Sequence, residues 1–216
     1  MSVSELLTEG GPIARSMEGF ELRPQQLDMV RAIERAFADD RHLIVEAGTG
    51  VGKSFAYLLP GIQQSLDRDE RIVISTHTIA LQEQIVRRDL PFLASVYPRD
   101  FKAELVKGRS NYLGLRRLLK SAQQQHTLFE DSRLLELQQI QTWAHSTSDG
   151  SLATLGFMPS PALWDHVMSD SNDCRGRNCD HYKQCFFQRA RRRIYDSQIL
   201  VVNHALLMAD LNLKRQ

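Results

Sequence analysis

The stretch that decides the fold is EAGTGVGKS, residues 46–54, which lies between an apolar segment and an amphipathic one. Its glycines permit a tight turn whose backbone N–H groups point at phosphate oxygens, helped by the positive end of the following helix. Lys53 is placed to reach the β and γ phosphates, and the Ser54 hydroxyl is placed to bind Mg²⁺. The predicted nucleotide-binding residues of this loop are Ala47, Gly48, Thr49, Gly50, Val51, Gly52, Lys53 and Ser54. The alternative is a glycine-rich turn without a ligand.

The residues on both sides of the loop alternate between strand-like and helix-like patterns. RHLIVEAG (41–48) predicts a short buried strand, and KSFAYLLPGIQQSL (53–66) predicts an amphipathic helix. RIVIST (71–76) and AELVKG (103–108) predict two further strands, and TIALQEQIVRRDL (78–90) predicts the helix between them. Strands and helices in alternation, joined by short connections, are typical of a parallel sheet covered by helices, so the expected fold class is α/β.

The pattern changes after Gly108, where polar linkers separate segments of helical periodicity. Helices are predicted at NYLGLRRLLKSA (111–122), SRLLELQQIQTWAH (132–145), ALWDHVM (162–168) and FFQRARRRIYD (186–196), followed by the β-rich run QILVVNH (198–204). We therefore expect an α/β domain over residues 1–110, a mostly helical insertion over residues 111–186, and a return to the α/β domain over residues 187–216.

The composition is that of an ordinary water-soluble protein. Of 216 residues, 42% are hydrophobic and 25% are charged, and the net charge is +1. No apolar run approaches the length of a membrane helix, and the N-terminus lacks the features of a signal peptide, so the expected location is the cytoplasm and no membrane partner is expected. Because the net charge is small, any contact with nucleic acid must depend on local charge.

The three cysteines of the chain fall within DCRGRNCDHYKQC, residues 173–185. In a reducing compartment, a tight cluster of Cys174, Cys179 and Cys185 is more typical of a metal site than of disulfides. The spacing differs from the CxxC pairs of zinc ribbons. His181 is the nearest alternative ligand. Three thiols that remain after the loss of a metal are the other open interpretation.

Two basic segments flank the cysteines. Arg191 and Arg192 belong to RARRR (189–193), and Arg109 precedes the insertion. If the insertion brings these segments together, they provide phosphate contacts that guide a single nucleic-acid strand. A solvated basic helix face is the alternative.

The ordered set of motifs resembles the XPD/DinG-type branch of superfamily 2 DNA helicases. RPQQLDM resembles the glutamine motif, with Gln26 at the adenine-reading position, and EAGTGVGKS resembles motif I in its AxxGxGK[ST] form. STHTIALQEQI resembles motif Ia, in which Thr76 would touch the DNA backbone. KGRSNYL, the cysteines and VVNHALLMAD follow in the order of the family, so the resemblance covers nearly the whole chain.

The resemblance implies a RecA-like motor domain that couples ATP hydrolysis to 5′-to-3′ translocation on single-stranded DNA, with an inserted [4Fe–4S] subdomain. Two departures stand out. Gly114 occupies the position of the first cluster cysteine, so one ligand is missing. The sequence also stops at Gln216, before the acidic motif II that completes the Mg²⁺ site. We therefore expect a truncated helicase that is inactive by itself, with a non-catalytic nucleotide- and nucleic-acid-binding module or a decayed helicase as the alternative.

Overall fold

The computed structural model describes residues 2–124 and 131–214. These residues form two compact units, the first of residues 1–106 together with 196–216 and the second of residues 107–195, within the described ranges. The expected division placed the boundaries at 110/111 and 186/187. The difference concerns the helix that follows the third cysteine, because its Phe186 and Ala190 are buried in the core of the second unit.

A parallel sheet of three strands lies in the first unit. The strands are β1 (Ile72–Thr76), β2 (Ala103–Val106) and β3 (Ile199–Asn203), in the order β1-β3-β2. In the register, Thr76 lies opposite Asn203, so both strands end at the same edge of the sheet. The parallel sheet predicted from the alternating pattern is thus confirmed for these three segments.

The helices of the described residues cover the segments predicted to be helical and several others. In chain order they are α1 (Val3–Leu6), α2 (Pro12–Ser16), α3 (Pro24–Ala38), α4 (Lys53–Arg68), α5 (Ile79–Gln84), α6 (Leu90–Val96), α7 (Leu115–Gln123), α8 (Asp131–Ser146), α9 (Pro161–Val167), α10 (Phe186–Tyr195) and α11 (His204–Lys214). Helix α4 begins directly after the glycine-rich loop and continues through Pro60. Its buried face, which includes Leu58, Leu59 and Ile62, belongs to the core of the first unit. The loop is therefore attached to one of the best-packed elements of that unit.

The strand predicted at residues 41–48 is wrong for this structure. The segment has no strand assignment, and the side chain of Ile44 is 97% exposed. Leu43 and Val45 are also exposed, at 43% and 41%. A strand exists only through hydrogen bonds to a neighbouring strand, and the three-stranded sheet of the described residues does not pair with this segment. Leu43, Ile44 and Val45 form the apolar run that the sequence shows, but they are exposed rather than buried.

The helix predicted at residues 78–90 forms with an irregularity. Thr78 caps α5 by accepting a hydrogen bond from the backbone N–H of Leu81 at 3.3 Å. Residues Ile85–Asp89 then form a π-helical turn before α6 begins. A π turn contains an extra residue, so the side chains that follow it are rotated relative to a continuous α-helix, and such turns are frequent at functional sites.

The second unit has a hydrophobic core of its own. Leu137 and Ile140 of α8 and Leu163 of α9 are fully buried there. Helix α7 begins at Leu115 rather than at the predicted Asn111, because the preceding residues form bridges in which Tyr112 pairs with Ser151 and Leu113 pairs with Met168. These bridges fix the backbone at residues 112–114, which is the segment that leads into the cysteine pocket.

Candidate nucleotide site and cysteine pocket

The glycine-rich loop ends at Gly52, whose φ of 81° lies in the left-handed region. The buried side chain of Gln26 donates a hydrogen bond from Nε2 to the carbonyl oxygen of Gly52 at 2.8 Å. A Cβ atom at position 52 would lie only 2.2 Å from this Nε2 atom. The left-handed backbone therefore favours glycine, and any larger residue would displace the amide of Gln26 from its hydrogen bond. In this structure Gln26, which was predicted to read adenine, contacts the loop itself.

Lys53 also contacts its own loop. Its Nζ atom donates to the carbonyl oxygens of Ala47 at 2.8 Å and Gly48 at 2.5 Å. These bonds hold the ammonium group over the turn formed by residues 47–52. A bound triphosphate would offer stronger, charged acceptors at the same place, so the lysine is positioned to exchange its carbonyl partners for phosphate oxygens.

A cavity of about 700 Å³ opens beside the loop. Predicted residues on its wall are Gln26, Thr49, Gly50, Gly52, Lys53 and Ser54. The volume suits a nucleotide-sized ligand. Arg88 and Asp89, which the sequence reasoning missed, also line it. Both belong to the π turn Ile85–Asp89, so a regular helical pattern would not have placed them correctly; the adjacent charges in RRD were the available signal.

Tyr57 lies between Ser54 of the loop and the buried carboxylate of Asp89, and both groups affect its pKa. Burial raises the pKa of the Tyr57 phenol, a hydrogen bond with Ser54 acts in the opposite direction, and the charge of Asp89 raises it further. Asp89 is buried and accepts a hydrogen bond from Gln84 Nε2 at 3.2 Å. The Ser54 hydroxyl is therefore part of a polar group that extends from the loop to the π turn.

The carboxyl edge of the sheet carries the segment predicted to touch DNA. Thr76 is buried, and its hydroxyl donates to the carbonyl oxygen of Thr78 at 3.4 Å. Next to it, His77 and His204 are exposed, and their rings stack with centroids 6.1 Å apart. The surface at this edge is thus formed by the histidines rather than by Thr76.

In the second unit, one cavity of about 50 Å³ brings together residues that are sixty positions apart in the sequence. The three cysteines and Gly114 all line it, and so does His181. Arg109 donates a hydrogen bond to the Cys174 thiol; this contact and the backbone N–H of Gly176 lower the pKa of Cys174. The cavity therefore brings the three cysteines together with Gly114 and His181, while their role as metal ligands stays a prediction.

A four-cysteine cluster site does not fit these residues. A Cβ atom at position 114 would lie 3.0 Å from the carbonyl oxygen of Met168 and 3.2 Å from the Cα atom of Ser169. The N–H of Gly114 is bonded to the carbonyl oxygen of Val167 at 2.8 Å, which holds the two segments together. Among the described side chains, no group of three or more His, Cys, Asp or Glu already has a metal-binding arrangement. The pocket thus offers three thiols and a closed fourth position.

The predicted DNA-contacting arginines of the second unit have intramolecular partners. The Arg109 guanidinium lies 4.0 Å from the centroid of the Phe187 ring. Arg191 and Arg192 are exposed on α10, where Arg191 donates to the Tyr195 hydroxyl at 2.9 Å and Arg192 donates to the carbonyl oxygen of Lys183 at 3.1 Å. The structure therefore leaves Arg191 and Arg192 accessible while Arg109 supports the cysteine pocket.

No helix of the described residues is long and apolar enough to cross a membrane.

A glycine-rich loop before a helix, a parallel sheet and an adjoining cavity are typical of the P-loop class of proteins, and the architecture fits a RecA-like domain. The family model of the DEAD/DEAH box helicases matches residues 23–142, more than half of the chain. The chain belongs to this family.

Several helicases are similar to the chain over most of its length. It is 36% identical over 205 residues to the ATP-dependent DNA helicase YoaA of Escherichia coli K12, which covers 94% of the chain and 31% of that protein. It is 38% identical over 227 residues to the ATP-dependent helicase DinG of Mycobacterium tuberculosis H37Rv, which covers 97% of the chain and 34% of that protein. The chain spans about a third of the length of these curated relatives.

Proposed function

We propose that this chain supplies the ATP-binding part of an ATP-dependent DNA helicase motor. The observation that carries the proposal is the loop of residues 46–54, which opens on a cavity of about 700 Å³ in a chain of the DEAD/DEAH box family. The similar proteins of Escherichia coli and Mycobacterium tuberculosis are described as ATP-dependent helicases. For a helicase motor of the length of these relatives, we propose translocation on DNA in the 5′-to-3′ direction.

In the proposed complex, Lys53 leaves the carbonyl oxygens of its loop and binds the β and γ phosphates of ATP. Ser54 supplies a hydroxyl to Mg²⁺, and the N–H groups of residues 48–54 surround the phosphates. Gln26 uses one N–H of its amide for Gly52, and the second N–H and Oε1 provide the donor and acceptor for the proposed contact with adenine. Lys53, Ser54 and the backbone of the loop would orient the phosphates, and Mg²⁺ bound at Ser54 would supply neutralisation of their charge.

Single-stranded DNA is the proposed nucleic-acid partner. The carboxyl edge of the sheet near Thr76 and the exposed arginines Arg191 and Arg192 provide the contacts in this proposal, with Arg109 in a supporting position. Arginine side chains on a helix face suit phosphate oxygens, and such contacts weaken steeply with added salt. A binding series between 50 and 200 mM salt with a labelled oligothymidine measures this dependence.

We also propose that Cys174, Cys179 and Cys185 hold an iron-sulfur cluster through three thiolates. Their shared cavity supports this assignment, and Gly114 removes the fourth cysteine. Thiolates are the ligands that such clusters require. Iron and sulfide analysis of anaerobically purified protein tests it, with the Cys179→Ser variant as a comparison. Equal iron content in both samples, or no iron in either, would contradict the assignment.

The ATP site is tested by titrating the chain with a fluorescent ATP analogue in the presence of Mg²⁺. We expect the Lys53→Ala variant to lose affinity by about tenfold or more, because charge-assisted hydrogen bonds to phosphate are lost. The Lys102→Ala variant removes an exposed lysine outside the cavity and serves as the matched control. Equal affinity of the Lys53→Ala variant and the wild-type chain would refute the assignment.

A further inference from the structure

Two histidines occupy adjacent positions at the carboxyl edge of the sheet. Thr76 and Asn203 are opposite each other in the register of β1 and β3, so the residues that follow them, His77 and His204, emerge side by side. Their rings are inclined by only 23°. Both side chains are exposed, so this arrangement is not a consequence of burial in the core.

Hydrogen bonds from two half-buried residues, Ser75 and Asn203, hold this histidine pair, His77 with His204, at the ring of His204 and at the backbone of His77. Ser75 Oγ lies 2.6 Å from Nδ1 of His204. Asn203 donates from Nδ2 to the carbonyl oxygen of His77 at 3.1 Å, while its Oδ1 accepts from the N–H of Ala205 at 2.8 Å. The two strand ends are thereby tied to each other through the residues that carry the imidazoles.

We propose that the histidine pair binds the phosphodiester backbone of single-stranded DNA through its imidazole N–H groups. When Ser75 donates its hydroxyl hydrogen to Nδ1 of His204, the ring carries its proton on Nε2 and becomes a donor toward solvent. Donors on a fixed scaffold are well suited to phosphate oxygens, which take most of the hydrogen bonds in protein–DNA interfaces. The carboxyl edge of a parallel sheet is also the usual place for ligands in α/β proteins.

This inference rests on the proposed DNA-binding function and adds a contact that Thr76 cannot make, because Thr76 is buried and bonded to Thr78. Ile79, two residues after His77, is also exposed, with 70% of its surface accessible. The histidine pair therefore provides accessible polar groups at this edge.

The experiment measures the affinity of the full chain for a labelled oligothymidine at fixed salt, together with its affinity for a fluorescent ATP analogue. The double variant His77→Ala/His204→Ala is expected to lose DNA affinity by roughly tenfold, from two hydrogen bonds. Its nucleotide affinity should stay the same, which also shows that the fold is intact. The variant His145→Ala, which removes an exposed histidine of the second unit, is expected to bind DNA normally.

Conservative variants distinguish donation from stacking. Glutamine keeps an N–H donor near the position of Nε2, so His77→Gln/His204→Gln should retain most of the DNA affinity, whereas the corresponding Phe variants should lose it. The reverse order would overturn the proposal in favour of base stacking. Ser75→Ala should weaken binding in the wild-type chain and have no effect in the His204→Ala background, because it acts through that ring.

The outcomes separate the two proposals. If the wild-type chain does not bind the oligothymidine at all, the proposed DNA-binding function fails. If the wild-type chain binds and the double alanine variant binds equally well, DNA binding stands and the histidine contact is refuted.

Discussion

Gly52 is the residue at which the nucleotide loop and the glutamine motif meet. Its backbone takes the left-handed conformation, and its carbonyl oxygen accepts the hydrogen bond of the buried Gln26 side chain. The glutamine is therefore a structural partner of the loop in addition to its predicted role toward adenine. The sequence indicated each residue separately, but the 2.8 Å bond between them depends on how α3 packs against α4.

Replacement of Gly52 by alanine is expected to destabilise the first unit by about 1–3 kcal/mol and to abolish nucleotide binding. The new methyl group would meet Gln26, and the backbone would be strained. The Gly48→Ala variant is the matched control, because a Cβ atom at position 48 has no neighbour within 4 Å. Thermal unfolding of both variants measures the difference. The double variant Gly52→Ala/Gln26→Ala should recover only part of the loss, since the strain remains.

Asp149 is a half-buried carboxylate that accepts three hydrogen bonds in the second unit. It accepts hydrogen bonds from Thr147 at 3.2 Å, the backbone N–H of Ser151 at 3.1 Å and Thr154 at 2.7 Å. Burial acts to raise the pKa of Asp149, but these bonds and the charge of Lys107 outweigh it, so that the pKa lies below its ordinary value. The carboxylate thus stabilises the turn that precedes the bridge at Ser151.

A carboxyl group whose pKa is lowered by folding stabilises the protein above its unfolded-state pKa, and this stabilisation disappears as the pH falls through the folded-state pKa. We therefore expect Asp149→Ala to destabilise the second unit by about 1–3 kcal/mol at pH 7, because three donors lose their acceptor. The difference in the free energy of unfolding between this variant and the wild-type chain should shrink as the pH falls below about 3.8. Urea unfolding at several pH values measures it. A difference that is independent of pH down to pH 2 would contradict the assignment.

At the scale of elements, the segment before the loop departs most from its sequence pattern. RHLIV has the composition of a buried strand, yet Ile44 is almost fully exposed. The local sequence pattern indicates only that a segment can form a strand. A strand forms only where a neighbouring strand lies at hydrogen-bonding distance. The π turn at Ile85–Asp89 is a similar case, because the extra residue is accommodated by packing and leaves no mark in the periodicity.

A matched pair of isoleucines tests the exposed segment. Ile62→Ala should lower the free energy of unfolding by about 2–5 kcal/mol, since the side chain is completely buried in the core of the first unit. Ile44→Ala should change it by less than about 0.5 kcal/mol, as is typical of exposed positions. Chemical unfolding of both variants gives the comparison. Comparable losses would show that residues 43–45 are buried in solution and that the predicted strand is formed.

At the scale of the whole molecule, the described residues form two hydrophobic cores. One includes Leu59 of α4 and Val201 of β3, and the other includes Leu137 and Leu163. Each core consists of side chains from within one compact unit. Segments with separate cores can open as separate cooperative units.

A core substitution is therefore expected to affect amide hydrogen exchange only in the unit that contains it. Leu163→Ala should accelerate amide hydrogen exchange in α7, α8 and α9 while exchange in α4 stays the same, and Leu59→Ala should have the reverse effect. Hydrogen exchange followed by mass spectrometry resolves these segments. Acceleration throughout the chain by either substitution would indicate a single cooperative unit.

Much of the first unit could be predicted from the sequence, because its signals are local. The loop chemistry of Lys53 and Ser54, the apolar face of α4 and the β-branched runs of β1 and β3 depend on neighbours within a few residues. The cysteines were equally visible, and so was the absence of a thiol at Gly114. These properties follow from residue type and spacing, which determine what chemistry a segment can offer.

Only the tertiary structure decided which of these segments meet. It placed β3 between β1 and β2, brought Gly114 into one cavity with the three cysteines, directed Gln26 at the loop and set His77 beside His204. Each of these contacts joins residues far apart in the chain, and its formation depends on packing and on the register of strands. Residue spacing cannot encode that information, because the distance between two segments is set by the whole fold.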